Sequence, residues 1–372
     1  MKQSICFWTV SHPMYGLGGA EVMTYQYASE FARNGWRVFF FTKSGVKITD
    51  DFDDKHIEVI TYSKKNSLRI YFKFFRLMII EKINVVFFRN NTIALGVLAL
   101  FQNLLNYKLI WSVKHDDKCG KYASTEKLRK YWNESIPILK RVKYFLMDKV
   151  FRYGVQHAHI ILAQNNFQKD TIFSVFKKSS IINYSSTHIP CYNLKRENII
   201  LFIATMKDFK RPHLFCEIAG EYSKSSYNFK IIGKNFIDSK KSITLLENMK
   251  LNNVEYLGQL ELEEVRQYLD KSKLLINTSS AEGFPNTFVQ AFSHGVPVIT
   301  LGVNPDNLID NYNLGFVCKN KNSEVIQKIN LLMEDKNLWN NYSQSCYNYS
   351  KEHLDITKNI KILMNIFLKQ AI

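Results

Sequence analysis

Thr278 to Gln290 reads TSSAEGFPNTFVQ. What flanks it decides the fold. Upstream, Lys273 to Ile276 (KLLI) is a short apolar run suited to a buried parallel strand; downstream, Phe288, Ala291, Phe292 and Val296 recur at helical spacing. That helix ends at Gly295, and a β-branched run resumes at once in AFSHGVPVITL (291–301). Strand, loop, helix, glycine and strand make a βαβ unit. Pro285 then falls near a helix N-terminus, where its fixed φ suits the first turn and the unpaired amides of Asn286 and Thr287 face an incoming anion. Ser279, Ser280 and Glu282 fit ordinary helix capping as well. The stretch alone therefore supports two readings, a cap or an anion-binding turn with a carboxylate at its lip.

The same alternation extends over the whole chain. In the first half SICFWTV (4–10), WRVFFFT (36–42), IEVITY (57–62), NVVFFR (84–89), KLIWSV (108–113) and HIILA (159–163) are strand-like, and glycine-bearing, polar or helical segments separate them. NIILFIAT (198–205), NFKIIG (228–233), VEYLG (254–258), KLLINT (273–278), PVITL (297–301) and GFVCK (315–319) repeat the pattern. At 372 residues the chain is too long for one ordinary core. The expectation is α/β: two Rossmann-like, doubly wound parallel-sheet domains, 1–187 and 188–354, with a seam in the polar segment Tyr184 to Arg196. The apolar tail 355–372 has a helical pattern and is expected to pack back on the first domain.

Composition narrows the function classes. The apolar share is 46%, which suits a globular chain. The opening MKQSICFWTVSHP has no secretory-signal pattern, and the longest apolar stretch, Thr92 to Leu105, falls short of the roughly 20 residues that span a bilayer. Six cysteines lie far apart without metal-site spacing, which points to reduced thiols and a cytoplasmic setting. His157 and His159 resemble a metal pair, but placed before IILA they are expected to point to opposite faces of a strand, so no metal site is assigned.

A formal charge of +17 calls for an anionic partner. Between Lys121 and Arg152 nine basic residues face three acidic ones, Glu126, Glu134 and Asp148, and alternate with Tyr131, Trp132, Ile136, Leu139, Phe145 and Leu146. Leu68 to Ile80 (LRIYFKFFRLMII) has the same character. Basic, aromatic helices of this kind suit an anionic membrane surface, and equally suit core-facing helices with solvated lysines. No zinc finger, RNP-like strand or recognition-helix signal accompanies the charge, so a nucleic-acid partner is not expected.

Three further motifs follow strands. After the first comes YGLGGAE (15–21), whose glycines 16, 18 and 19 are expected to take positive φ and let the backbone approach a ligand. Its spacing is neither GxGxxG nor GxxxxGK[ST], which disfavours a nicotinamide dinucleotide site and a P-loop. IWSVKHDD (110–117) ends a strand in His115, Asp116 and Asp117. LFIATMKDFKRPHLFCEI (201–218) places Lys207, Lys210 and Arg211 in a loop between a strand and a helix, three cations able to neutralise a diphosphate.

In this order, GGAE, strand-end His-Asp, KRP and EGFPNTFxQA followed by GxPVI, the chain resembles the family 4 retaining glycosyltransferases, of the bacterial surface-polysaccharide type. The resemblance covers nearly the whole chain. It implies the GT-B fold, with two Rossmann-like domains facing a central cleft, an acceptor-binding domain first and a nucleotide-sugar donor domain second. Carried over, Glu282 binds donor-sugar hydroxyls, and the backbone from Gly283 through Phe284, Pro285 and Asn286 to Thr287 binds sugar and diphosphate. Lys210 holds the diphosphate, Gly18 and Gly19 line the donor and acceptor face, and His115 lies beside the reacting sugar. Gly233 and Lys234, with Leu257 and Gly258, edge the base pocket.

Two departures stand out. The second glutamate of the family's E-x7-E is Gln290, which still hydrogen-bonds ribose hydroxyls but without charge assistance. The usual phosphate arginine falls on Thr205, leaving Lys207 or Arg211 to supply the cation.

The expected activity is metal-independent transfer of a hexose from a UDP- or GDP-linked donor, with no further cofactor, to a lipid-linked or polysaccharide acceptor at the inner face of the cytoplasmic membrane. Two alternatives compete with it. Asp51-Phe52-Asp53 formally reads DxD, the mark of metal-dependent transferases, within an acidic solvated turn. Gln290 and Thr205 also fit a catalytically inactive scaffold of a membrane glycan complex.

Overall fold

The computed structural model describes residues 2–15, 18–47, 52, 54–63, 67–90, 92–114, 116, 119–120, 124–126, 137–193, 195–235, 245, 247, 249–250 and 254–369. The chain divides into two compact units, Met1–Tyr184 with Ile356–Ile372, and Ser185–Asp355.

Unit 1 is built on a parallel sheet of β1 (Ser4–Ser11), β2 (Arg37–Lys43), β3 (Ile57–Tyr62), β4 (Val85–Phe88), β5 (Lys108–Ser112), β6 (Ile160–Ala163) and β7 (Ile181–Ile182), in the order β3-β2-β1-β4-β5-β6-β7. Six of these coincide with the strand-like runs read above. β7 has two residues, too few to show any periodicity. Both faces of the central strands are covered, so β1, β4, β5 and β6 are buried along nearly their whole length and alternate in which core they enter. Ile5 and Phe7 of β1, Val38 and Phe40 of β2 and Val85 and Phe87 of β4 enter one core with α1 (Gly19–Arg33). Cys6 and Trp8, Phe39 and Phe41, and Val86 and Phe88 enter the other, beneath α2 (Ser67–Glu81), α3 (Ala94–Phe101), α4 (Ile138–His157) and α5 (Asn166–Phe176). The layer is tight where α3 meets α4, since a Cβ on Gly154 would lie 2.6 Å from the Gly96 nitrogen.

Unit 2 repeats the plan with β8 (Ile199–Ile203), β9 (Asn228–Ile232), β10 (Val254–Tyr256), β11 (Ser272–Asn277), β12 (Val298–Thr300) and β13 (Gly315–Val317), all parallel, in the order β10-β9-β8-β11-β12-β13. Around it lie α6 (Pro212–Gly220), α7 (Leu262–Lys271), α8 (Asn286–Ser293), α9 (Asn322–Glu334) and α10 (Lys336–Tyr349). Pro212 occupies the first turn of α6, and a reciprocal capping box between Glu261 and Glu264 starts α7. The last helix, α11 (Ile356–Lys369), belongs to unit 1: Ile356, Ile360, Leu363, Met364 and Phe367 are buried in the core of α1, and Lys108 Nζ donates to Phe367 O at 2.6 Å.

Each sheet has one place where the winding reverses. In unit 1 it lies between β1 and β4, in unit 2 between β8 and β11. Ligands of open parallel sheets bind at the carboxyl ends of the strands at such a point. His157 and His159 behave differently from the strand reading: His157 is the last residue of α4, stacked on Tyr153, whereas His159 Nδ1 accepts the Leu109 N–H at 3.1 Å. The two serve separate local structures.

Candidate functional site

In unit 2 four neighbouring strands deliver the sequence-predicted residues to one edge. Leu257 and Gly258 follow β10, Gly233 and Lys234 follow β9, Lys207 to Arg211 follow β8, and the Glu282 loop follows β11. Backbone bonds stitch these ends together. Gly233 N–H donates to Gly258 O at 2.7 Å, Leu257 N–H to Ile231 O at 2.9 Å, and Met206 N–H to Lys234 O at 2.9 Å. Gly233 takes φ 143°, and a Cβ there would meet Ala204 O at 1.8 Å, so no other residue fits between the ends of β8 and β9.

The reversal point is bolted more firmly still. Residues 208–210 form a single 3-10 turn, and Thr278 Oγ1 donates to Lys210 O at 2.7 Å while Ser280 N–H donates to Phe209 O at 2.8 Å. Arg211, at φ 50°, gives its Nε to Thr278 O at 2.5 Å and one terminal nitrogen to Ser279 O at 3.1 Å and Asn320 Oδ1 at 3.0 Å. Burial lowers its pKa from the ordinary arginine value. The side chain read as a diphosphate cation is thus spent on joining two loops. Lys207 lies on the exposed side of the same turn.

On this platform Lys210 Nζ lies 2.6 Å from Glu282 Oε2, with only 14% of each side chain exposed. Asn277 Nδ2, at the end of β11, donates to the other carboxylate oxygen at 3.0 Å. Ser279 and Ser280 make no cap: α8 begins after Pro285 with no side-chain cap bond, so its first-turn amides are not claimed by the serines. Phe284 and Pro285 are buried beneath the turn, while Gly283, Asn286, Thr287 and Gln290 line its partly exposed side. Gln290, one turn into α8, makes no side-chain hydrogen bond among the described residues.

The edge of unit 1 is more thinly held. Gly18 precedes α1 in an extended conformation and Gly19 is its first residue; neither has the positive φ expected of the glycine loop. A Cβ at 18 would come within 2.3 Å of Glu21 Oε2, which folds back over the helix start, so a larger residue there would displace the Glu21 side chain. Glu21 Oε1 in turn accepts from Lys114 Nζ at 2.7 Å. Beside this pair Arg89, after β4, is 4% exposed. Its described contacts are Met23 Sδ at 3.6 Å and, with the Gln164 amide turned to accept, Gln164 at 3.1 Å; Nε has none. Burial brings its pKa down to about 10. Asp116 accepts from Gln168 Nε2 at 2.7 Å and Asn165 Nδ2 at 3.3 Å. Gly16, His115, Asp117, Asp51 and Asp53 lie outside the described residues.

Residues 190–353 match the family model described as Glycosyl transferases group 1. The match spans most of unit 2 and less than half of the chain. Over 205 residues the chain is 24% identical to "Uncharacterized glycosyltransferase MJ1178" of Methanocaldococcus jannaschii, a match spanning 54% of this chain and 57% of that relative. The fold of the whole chain is similar to that of Anabaena HepE, solved in complex with UDP-glucose, at a TM-score of 0.74 and 13% identity over 98% of both chains. It is likewise similar to WaaG, a glycosyltransferase involved in lipopolysaccharide biosynthesis, at a TM-score of 0.67 and 14% identity over 98% of this chain and all of that one. These likenesses show the fold alone, two parallel-sheet Rossmann-like domains of the GT-B type.

Within unit 2 the residue that the sequence did not single out is Asn277. Its signal was slight: a polar residue ending the apolar run KLLI, whose amide proves to hold the carboxylate of Glu282. In unit 1 Lys114 and Arg89 were passed over for the same reason, each being a single cation at a strand end.

Proposed function

We propose that the protein is a retaining, metal-independent hexosyltransferase that takes the sugar of a nucleoside diphosphate donor and passes it to a lipid-linked or polysaccharide acceptor in bacterial surface-glycan synthesis. The observation that carries the reading is the arrival of Lys210, Glu282 and the Gly233–Gly258 pair at the carboxyl ends of adjacent strands, at the reversal point of a group 1 domain. HepE was solved with UDP-glucose, which makes UDP the first nucleotide to test.

In this reading unit 2 binds the donor and unit 1 the acceptor. The base lies against Gly233, Lys234, Leu257 and Gly258, and Gln290 faces the ribose. Lys210, Lys207 and the first-turn amides of α8 meet the diphosphate, and Glu282 takes the sugar hydroxyls. As the bond to the anomeric carbon breaks, negative charge grows on the departing diphosphate. Lys210 and the helix N-terminus are already placed to receive it, and preorganised charge of that kind is where transferases of this sort gain rate. Attack from the face the leaving group vacates needs no protein nucleophile and retains the anomeric configuration. No cofactor beyond the nucleotide sugar is required. Thr205 and Gln290 favour a second reading, an inactive scaffold; a screen of UDP- and GDP-hexoses for thermal stabilisation, followed by donor hydrolysis assays with crude lipid acceptor, separates the two, and binding without turnover selects the scaffold.

Attachment to the inner face of the cytoplasmic membrane is part of the proposal. Among the described residues no helix is long and apolar enough to cross a bilayer. Leu68, Phe72, Ile79 and Ile80 on α2 are exposed beside Arg69, Lys73 and Arg76, and Ile138, Leu139, Val142 and Leu146 on α4 beside Lys140, Arg141 and Lys143. Leu139 is 84% exposed and Phe72 75%. Asp148 does not dilute the charge of this face, because it is buried and accepts from the Ser124 and Thr125 amides at 2.9 and 3.0 Å. Phe72→Glu with Leu139→Glu should reduce co-sedimentation with phosphatidylglycerol vesicles by about tenfold, with stability unchanged; undiminished sedimentation would remove the membrane arm.

A further inference from the structure

The donor edge of unit 2 neutralises itself at rest. Lys210 Nζ and Glu282 Oε2 are 2.6 Å apart and largely shielded from solvent. The second carboxylate oxygen is held by Asn277, whose side chain is fixed in its turn: Oδ1 accepts from Ser279 N–H at 3.2 Å and lies 3.5 Å from Thr300 Oγ1. Thr300 Oγ1 also accepts the Gly302 and Val303 amides at 3.3 and 3.0 Å. Both oxygens of Glu282 are therefore satisfied, one by a lysine ammonium and one by an amide anchored in the sheet.

A nucleoside diphosphate arriving here competes with Glu282 for Lys210 and brings its own negative charge against the carboxylate. In a shielded site like charges at contact distance repel strongly. Leaving a carboxylate oxygen without its partner adds the cost of an unpaired charge. A donor that still carries its sugar offers hydroxyl groups to Glu282 in place of Lys210. A bare nucleoside diphosphate has only its ribose hydroxyls, which this reading places at Gln290.

We propose that the Lys210–Glu282 pair is a release latch, opened by the nucleotide sugar and re-formed once the sugar has been transferred, so that Glu282 sets the preference of the site for donor over spent nucleotide. Asn277 is the positioning residue that keeps the carboxylate within reach of both the sugar and Lys210. The inference rests on the donor-site reading above but makes a prediction that reading does not: removing the charge of Glu282 improves binding of the product.

Calorimetry with UDP and with UDP-glucose, and with GDP and GDP-mannose as the parallel set, tests it. Glu282→Gln keeps the side-chain volume and frees Lys210. It should bind UDP about tenfold more tightly than wild type and UDP-glucose several-fold more weakly. Glu282→Ala, the second variant, frees Lys210 as well and should also tighten UDP. Asn277→Ser should weaken UDP-glucose several-fold and leave UDP within twofold, whereas a merely structural residue would weaken both alike. If neither Glu282 variant tightens UDP while wild type still binds UDP-glucose, the latch falls and the donor-site reading stands. If wild type binds none of the four nucleotides, both fall.

Discussion

At the carboxyl edge of each sheet a lysine meets a glutamate, Lys114 with Glu21 in unit 1 and Lys210 with Glu282 in unit 2, at 2.7 and 2.6 Å. The supports beneath the two pairs differ. In unit 2 the loops that carry them are bolted to each other through Arg211, Thr278 and Ser280, with backbone carbonyls as the acceptors. Unit 1 has instead a buried arginine whose described partners are a thioether sulfur and a side-chain amide. Backbone bonds hold one geometry, whereas charges on side-chain supports can shift with their partners. The comparison assigns rigidity to the unit 2 edge and sparser support to the edge of unit 1.

The largest expected effect bears on the lysine of the rigid edge. Lys210→Ala should lower donor turnover by about 10²-fold or more, on the scale of losing one preorganised charge contact; near-normal turnover would break the assignment. Next comes the bolt itself. Arg211→Ala removes three hydrogen bonds to Thr278, Ser279 and Asn320 and should destabilise the protein by about 2 kcal/mol in denaturant unfolding. Unchanged stability with lost donor affinity would return Arg211 to the role of phosphate ligand.

A smaller effect of opposite sign is expected in unit 1. Arg89→Met replaces a buried, sparsely bonded cation by an apolar side chain and should stabilise the protein by about 1 kcal/mol, read as a rise in Tm. A fall would mean that the charge of Glu21 compensates Arg89 in full. The smallest effect is shared by both units. Burial holds His159 and His294 below the ordinary histidine value, with Lys108 adding to the shift at His159 and Asp270 opposing it at His294. The unfolded chain therefore binds protons before the folded one as pH falls through 6.5. Stability present above that pH should decline below it, and His159→Gln or His294→Gln should each remove part of the slope in pH-dependent unfolding; a profile unchanged in both variants would show that neither imidazole is desolvated.

Legibility followed contiguity. Twelve of the thirteen strands stand out as strand-like runs, the central ones because strands buried on both faces must be largely apolar whatever lies beside them. The stretch from Thr278 to Gln290 kept its meaning for a similar reason: one short segment carries the strand end, the carboxylate and the helix start. Arg211 shows the limit. Its sequence neighbours mark it as one cation among three, and only the sheet order that seats β8 beside β11 turns it toward the Thr278 and Ser279 carbonyls.

By itself the sequence determined the two α/β units, their strand runs and the polar residues at the strand ends, since these follow from local periodicity and from what a buried backbone tolerates. Tertiary structure decided the partnerships. Glu21 with Lys114, Glu282 with Asn277 and Lys210, Arg211 with the Thr278 and Ser279 carbonyls, and the α1 core with α11 all depend on which segments lie side by side. Strand order is fixed by packing between distant segments, and no window of sequence carries it.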